Sequence, residues 1–233
     1  MARNITLREL IDMVREESGH STHPGVGQAD TDRIAALLRR TQRRLYLDFD
    51  WPHLYTEVEE PLAKGARYYG YQVGVDQERI RNVYAESLTG DWVPVQYGID
   101  PTLYNILDSE NDEQEDPVRY WMMRDNSTYE VWPIPASDNL RLKFTGLKEL
   151  PALKVMEDRC VLDADLLVMY VSAELLARQK SPDAEYKIGL ADQHYRRLRA
   201  ATQHRDMINF NGRTNDTRLA RQQQRYARGP RMG

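Results

Sequence analysis

The chain changes from helical to strand periodicity within one stretch, Tyr46-Leu-Asp-Phe-Asp-Trp-Pro-His-Leu-Tyr-Thr-Glu-Val58. Before it, apolar residues recur at helical spacing from Asp30 to about Phe49. Pro52 ends this helix, because the residue before a proline avoids the helical region. The predicted buried stripe of this helix two is Ile34, Leu37, Leu38, Thr41, Leu45 and Phe49. Trp51 is predicted to pack the helices against the β region that follows.

Three further helices are predicted, one before this boundary and two near the other end of the chain. Helix one begins with the capping-box pair Thr6 and Glu9 and ends at Gly19. Helix three covers about Asp163 to Lys180, and helix four follows Ser181, with Pro182 in its first turn. The predicted buried faces are Leu7, Leu10, Ile11 and Val14 in helix one, and Tyr186, Leu190, His194, Tyr195, Leu198 and Ala201 in helix four.

The region between the helix pairs has strand periodicity and turn signals. Antiparallel pairing is expected, because short turns cannot connect parallel neighbours. Its many tyrosines and tryptophans fall on strand positions, which favours a core role. The predicted strands are Tyr55–Val58, Tyr68–Val73, Ile80–Ala85, Trp92–Tyr97, Val118–Met123, Tyr129–Ile134 and Leu140–Thr145.

The predicted fold class is α+β, an antiparallel four-helix bundle with an inserted small antiparallel β domain and an extended C-terminal arm. Residues 1–52 and 155–210 are predicted to form the bundle, 53–154 the β domain and 211–233 the basic arm.

The charge of the chain is unevenly distributed. The formal net charge is −4. Residues 213–233 contain six arginines and a single acid, Asp216, so this segment carries +5 and the first 212 residues carry −9. An acidic body with a basic arm predicts a partner for the arm. The arm has almost nothing to bury and is expected to order only on contact with that partner.

Several function classes are disfavoured by the sequence. No apolar stretch approaches the roughly 20 residues of a membrane span, and residues 1–6 lack the apolar core of a signal peptide. One cysteine, Cys160, allows neither an internal disulfide nor a cysteine-based zinc site, and predicts a reducing compartment. His20 and His23 lack a third ligand, and the acidic segment Asp108–Asp116 lacks the glycine and glutamate register of a calcium loop. No catalytic motif is present, so neither an enzyme nor a cofactor is expected.

The arginines of the arm are compatible with two kinds of partner. Arginine clusters neutralise phosphates, which fits a nucleic-acid-binding accessory protein. They also pair with carboxylates, which fits an arm that folds along a partner protein. The absence of lysine, the single aromatic Tyr226 and the acidic body favour protein.

The order of elements resembles the head-to-tail adaptor of short-tailed bacteriophages, also called tail tubular protein A. The similarity covers roughly residues 5–200 and rests on loose structural phrases. These are the Tyr-x-x-Phe-Asp-Trp phrase at 46–51, Ile80-Arg-Asn-Val-Tyr84, Tyr129-Glu-Val-Trp-Pro-Ile-Pro135 followed by Leu140-Arg-Leu-Lys-Phe, and Asp163-Ala-Asp165. None of them is a catalytic signature.

The resemblance implies a structural, non-enzymatic connector in the phage virion. It implies a twelve-fold homo-oligomeric ring beneath the portal protein, with the helices toward the portal and the β domain toward the tail nozzle protein. Genomic DNA would cross the channel without specific binding, and no membrane is involved. The protein would lie in the virion neck, and in the host cytoplasm during assembly. The predicted portal-binding residues are Arg213, Arg218, Arg221, Arg225, Arg228 and Arg231. The predicted subunit-interface residues are Arg39, Arg40, Arg43 and Arg44.

Overall fold

The structure is a computed structural model that describes residues 3–19, 28–71, 74–105 and 114–203. The chain divides into two compact units, Met1–Ile188 and Gly189–Gly233. The described helices are α1 (Leu7–Glu17), α2 (Gln28–Asp48), α3 (Ala164–Arg178) and α4 (Asp183–Gln203). The strands are β1 (Tyr55–Pro61), β2 (Tyr68–Gly70), β3 (Val75–Glu86), β4 (Trp92–Tyr97), β5 (Tyr120–Met123), β6 (Thr128–Trp132) and β7 (Arg141–Lys148). Short 3₁₀ turns lie at Pro52–Leu54 and Pro101–Asn105.

The helix starts and buried faces follow from local chemistry. The predicted capping box is confirmed: the Glu9 N–H donates to Thr6 Oγ1 at 3.3 Å, and the Thr6 N–H donates to Glu9 Oε2 at 2.9 Å. This reciprocal pairing satisfies two amides that lack partners at the helix start. Asp163 caps α3 by accepting from the Leu166 N–H at 3.0 Å. The predicted faces of α1 and α2 are buried, with Phe49 half-buried.

The four-helix bundle predicted from the sequence is wrong. Helices α1, α2 and α3 pack against one another in the first unit, whereas α4 begins there and crosses into the second unit at Gly189. Lys187, near the start of α4, forms an ion pair with Glu17 of α1. Tyr186, predicted on the buried face of α4, is exposed, because the buried positions are Ala184, Ala191 and Leu198, a seven-residue repeat that excludes it.

The β region is not a small insert. It is a curled seven-stranded sheet of order β1-β7-β3-β4-β5-β6-β2, and strands make up 26% of the part of the chain that the structure describes. The prediction of a purely antiparallel sheet is also wrong, since β4 and β5 pair in parallel, Gln96 with Tyr120 and Tyr97 with Trp121. Residues 98–119 connect these two strands, and a connection of that length can cross over where a short turn cannot.

Strand β3 is irregular where it lies beside β7. Its register shifts between Val75 and Ile80 and again between Ile80 and Asn82. The irregular segment approaches Gly146 of β7 closely: a Cβ at Gly146 would lie 2.5 Å from the Arg79 carbonyl oxygen. Glycine is therefore required at this point for steric reasons.

The core of the sheet is aromatic, as predicted. Tyr129 lies between Tyr69, whose ring is stacked at 5.5 Å, and Phe144, whose ring meets it edge-on at 5.3 Å. Trp121 contacts Phe144 edge-on at 5.5 Å. Aromatic side chains bury large areas, so this cluster supplies much of the driving force for the sheet.

A charged network lies at the β2–β6 edge of the sheet. The carboxylate of Glu130 is fully buried and accepts from Arg67 Nε at 2.6 Å, from the Tyr104 hydroxyl at 2.9 Å and from Arg124. The Arg67 guanidinium also stacks on aromatic rings, with its Cζ 4.4 Å from the Tyr104 centroid and 5.2 Å from the Trp132 centroid. A buried charge needs such partners to be tolerated.

Trp51 is buried at the end of α2, and its Nε1–H donates to the Leu45 carbonyl at 2.9 Å. Cys160 is buried as a free thiol, and burial raises its pKa to about 12. Among the described residues, no group of three or more His, Cys, Asp or Glu side chains could hold a metal ion. None of the helices in the described part of the chain is long and apolar enough to cross a membrane.

Candidate protein-docking surface

The predicted functional residues fall in two places. The six arginines of the arm, Arg213, Arg218, Arg221, Arg225, Arg228 and Arg231, lie outside the described residues. The other four, Arg39, Arg40, Arg43 and Arg44, lie in the second half of α2. All four are exposed to some degree, and the structure gives them different surroundings.

Three of the four α2 arginines have partners within the chain. Arg39 donates from Nε to the Leu153 carbonyl and from Nη2 to the Lys154 carbonyl. Arg40 pairs with Glu174 on α3. Arg44 stacks on the ring of Tyr170, also on α3, with its Cζ 4.8 Å from the centroid.

The Arg40 ion pair is part of a small cluster on the outer side of α3. Burial raises the pKa of Glu174, but hydrogen bonds from Arg40 and Arg178 outweigh burial and hold the pKa below its ordinary value. Two guanidiniums therefore share one carboxylate. This cluster fixes α2 to α3 at the surface, where such pairs contribute little to stability.

Arg43 differs from its neighbours. It is exposed and makes no hydrogen bond or ion pair with the described part of the chain. One turn further along α2 lies Leu47, which is also exposed. Arg43 and Leu47 together border a cleft of about 1160 Å³ between α2, the start of β3 and the segment 149–154.

Charged side chains of both signs line this cleft. Arg39, Arg43 and Lys154 are its basic residues, and Asp76, Glu78 and Glu149 are its acidic residues. Gln42, which is buried, donates from Nε2 to the Pro151 carbonyl at 3.1 Å. The arrangement offers charged groups and backbone for recognition of a protein surface.

The end of α2 is fastened to β3 by side chains that the sequence analysis did not single out. The Tyr46 hydroxyl shares its single proton between two acceptors, Asp76 Oδ2 at 2.7 Å and the Lys148 carbonyl oxygen at 3.1 Å, and burial raises the pKa of this hydroxyl. Arg79 pairs with Asp50 at 2.9 Å and donates to the Leu47 carbonyl at 2.6 Å. Arg81 pairs with the same Asp50 carboxylate. These contacts fix the helix against the sheet.

The sequence carried only a partial signal for this junction. Asp50 stands in the Asp-Trp-Pro boundary, and Arg79 and Arg81 alternate along a strand pattern, which places them on one side of β3. The pairing itself depends on tertiary geometry, because Asp50 and Arg79 are far apart in the sequence.

Comparison with known proteins adds what the geometry alone does not supply. The sequence matches the family described as SU10 adaptor protein over residues 5–228. The chain belongs to the SU10 adaptor protein family. No curated protein matches the chain in a sequence search.

Family membership confirms the expectation of a phage head–tail adaptor. The protein is thus a structural component of the virion, at the level of tail or neck, that interacts with portal and tail components. The family implies a non-enzymatic role for this adaptor. The exposed surface of α2 and its cleft are accordingly candidates for contacts with other proteins.

Proposed function

We propose that this adaptor is the head-to-tail connector of a short-tailed phage. It forms a twelve-fold ring beneath the portal, joins the portal to the tail nozzle and lines the channel through which DNA passes during ejection. It assembles in the host cytoplasm and remains in the neck of the virion. The observation that carries this proposal is the family match, which spans nearly the whole chain.

The charge distribution supports a channel role. Residues 1–212 carry −9, and an acidic wall repels a polyanion. DNA would therefore pass along the channel without adhering to it. A closed ring requires heterologous contacts, in which one patch of a subunit meets a different patch of the next.

The basic arm is proposed to dock on the portal. Its six arginines can each form bidentate hydrogen bonds with carboxylates of a partner protein. The test is native mass spectrometry of the adaptor, alone and mixed with the portal of the same phage. The full chain should give a complex with about one adaptor copy per portal subunit. A chain ending at Gly212 should keep its fold but should no longer bind the portal.

A matched pair of variants separates arginine chemistry from net charge. Replacing the six arm arginines by lysine keeps +5, and replacing them by glutamine removes the charge. Weakened binding by the lysine variant would indicate bidentate recognition, because lysine cannot form the planar two-bond contact. Retained portal binding by the chain ending at Gly212 contradicts the role of the arm.

The second candidate function is nucleic-acid binding through the same arm, favoured by its six arginines. Its signature would be DNA affinity that falls steeply with salt, with a slope set by the number of phosphates neutralised. DNA binding without any portal complex would replace the connector proposal by this one.

The subunit contacts are proposed to involve Arg39, Arg40, Arg43 and Arg44. Arg43 is the best test, because it has no partner in the described part of the chain, whereas Arg40→Glu would also repel Glu174. Arg43→Glu should shift the ring toward monomers with unchanged thermal stability. Arg33→Glu, an exposed arginine on the same helix, is the control. Equal ring formation by both variants contradicts this interface.

A further inference from the structure

One segment of β3 is only loosely held by the strand ladder. From the pair Val75–Lys148 to the pair Asn82–Thr145, β3 advances seven residues while β7 advances three. The surplus residues of β3 form bulges, at which the regular ladder of main-chain hydrogen bonds is interrupted. We name residues 76–81 the β3 bulge.

The β3 bulge is also less buried than the strand on either side of it. Val75 and Val83, which flank it, are each 2% exposed, whereas none of residues 76–81 is buried. A segment with an irregular ladder and few buried apolar contacts can open at a lower free energy than the strands beside it. The position of the β3 bulge therefore depends on what its side chains bind.

The charged side chains of the β3 bulge bind the end of α2. Arg79 and Arg81 share the carboxylate of Asp50, and Asp76 accepts a hydrogen bond from the Tyr46 hydroxyl at 2.7 Å. The Asp50 side chain is 33% exposed, so its two ion pairs are accessible to solvent and are weakened by salt. One carboxylate thus carries most of the charge pairing that holds the β3 bulge against the helix.

The β3 bulge borders two cavities. Asp76, Gln77 and Glu78 line the cleft beside α2, which has a volume of about 1160 Å³. Gln77, Ile80 and Arg81 line a second cavity of about 300 Å³, between β3, β4 and β5. Gln77 belongs to both linings, so the β3 bulge is a wall that the two cavities share.

We propose that the β3 bulge is a gate between these two cavities, and that the Asp50 carboxylate is the latch that keeps it closed. In the closed state Asp50 holds Arg79 and Arg81. In the open state both guanidiniums leave Asp50, the β3 bulge moves away from the end of α2, and the two cavities become continuous.

The helix and the rest of the sheet remain folded when the gate opens. The hydrogen bonds of α2 are internal to the helix. The ladder of β3 with β4 begins at Val83, and the regular ladder with β7 begins at Asn82, so neither depends on the β3 bulge. The gate lies within one subunit, and it can therefore be tested on the full-length adaptor alone.

A distance measurement between two spin labels tests the gate. Leu47 and Glu78 are both exposed and lie on the cleft, one at the end of α2 and the other in the β3 bulge. Labels on Leu47→Cys and Glu78→Cys report the gap that opening would widen, and Cys160 is buried and does not react. Pulsed electron paramagnetic resonance should give mainly one short distance in the otherwise unmodified protein.

Asp50→Asn should raise the ratio of long to short distances at least about tenfold, because each guanidinium loses a charge-assisted hydrogen bond. Glu174→Gln is the matched control, since Arg40 and Arg178 also share that carboxylate and these ion pairs lie on α2 and α3. It should leave the ratio within about twofold of the unmodified value. High salt should raise the ratio in the unmodified protein and should have little further effect on Asp50→Asn.

Hydrogen exchange by mass spectrometry shows whether the change is confined to the gate. Amides of residues 83–86 and 142–145 should exchange in Asp50→Asn within about twofold of their rate in the unmodified protein. If Asp50→Asn does not fold, Arg81→Gln, at a side chain that is 53% exposed, takes its place in both measurements.

Three results would overturn the inference. The first is a distance distribution that does not change when the latch is removed. The second is an equal change in Glu174→Gln, which would show a general loosening of α2. The third is faster exchange throughout β3, β4 and β7, because Asp50 would then stabilise the whole sheet and not a gate within it.

Discussion

Removing the side chain of Arg67 should destabilise the sheet strongly, because it leaves a buried carboxylate with fewer partners. The Glu130 side chain is 0% exposed, and that of Arg67 is 23% exposed. Removal of one partner from a buried ion pair costs about 3–5 kcal/mol. Because Arg124 and Tyr104 remain hydrogen-bonded to Glu130, the loss of unfolding free energy for Arg67→Met should lie at the lower end of this range, at about 3 kcal/mol. Methionine keeps much of the packing against the aromatic rings.

A matched exposed pair shows what an ordinary arginine contributes. Arg8 and Glu157 are 3.7 Å apart, and their side chains are 69% and 76% exposed. Arg8→Met should cost less than about 0.5 kcal/mol, since solvent screens such a pair. The free energy of unfolding would be measured by urea titration, followed by tryptophan fluorescence and far-ultraviolet circular dichroism.

A double-mutant cycle isolates the interaction itself. Glu130→Gln removes the charge while keeping the shape, so Arg67→Met combined with Glu130→Gln should be about 2 kcal/mol more stable than the sum of the single effects predicts. A stability loss for Arg67→Met no larger than that for Arg8→Met would show that the buried carboxylate does not need Arg67. Additive effects of Arg67→Met and Glu130→Gln would show that the buried charge is not the source of the loss.

Two further predictions concern backbone packing and pH. Gly146→Ala should lower the free energy of unfolding by about 2–3 kcal/mol, because its Cβ would meet a backbone oxygen at 2.5 Å. Gly70→Ala is the control: it has open space around it and should change the free energy of unfolding by less than about 0.5 kcal/mol. Equal melting temperatures of the two variants would contradict the steric clash at Gly146. Burial lowers the pKa of His53 below its ordinary 6.5, despite the hydrogen bond of its Nε2 to the Val161 carbonyl at 2.9 Å. As the pH drops, the imidazole of the unfolded chain therefore takes up its proton before that of the folded chain. The free energy of unfolding should fall as the pH drops through 6.5, and it should fall less for His53→Gln than for the unmodified protein. Superimposable pH profiles of unfolding free energy would show that His53 is not responsible.

The helices could be predicted from the sequence because their signals are local. The capping box at Thr6 and Glu9 lies within one turn, and the 3.6-residue stripe of α2 needs no knowledge of its partner. The assembly of the helices could not be predicted in the same way. The amphipathic pattern of α4 predicts that one face is covered, but it does not identify the element that covers it. The simplest prediction, a fourth helix of a bundle, is wrong.

The sheet shows the same division between local and distant information. The strand positions followed from alternation and turn residues, and most were correct. The parallel β4–β5 pair was not predicted, because the two strands are connected by residues 98–119 and a connection of this length has no turn motif that fixes the direction of the next strand. The α2 arginines were recognised as a charged surface, but Arg39, Arg40 and Arg44 have partners within the chain, which the sequence could not show because those partners lie more than 100 residues away.

The junction between α2 and the sheet involves the irregular part of β3. Arg79 and Arg81 both pair with Asp50, which follows the end of α2. The register shifts of β3 beside β7 fall between Val75 and Asn82, the segment that contains these two arginines. The Asp50 carboxylate therefore links the end of the helix to β3 at the point where the strand ladder is irregular.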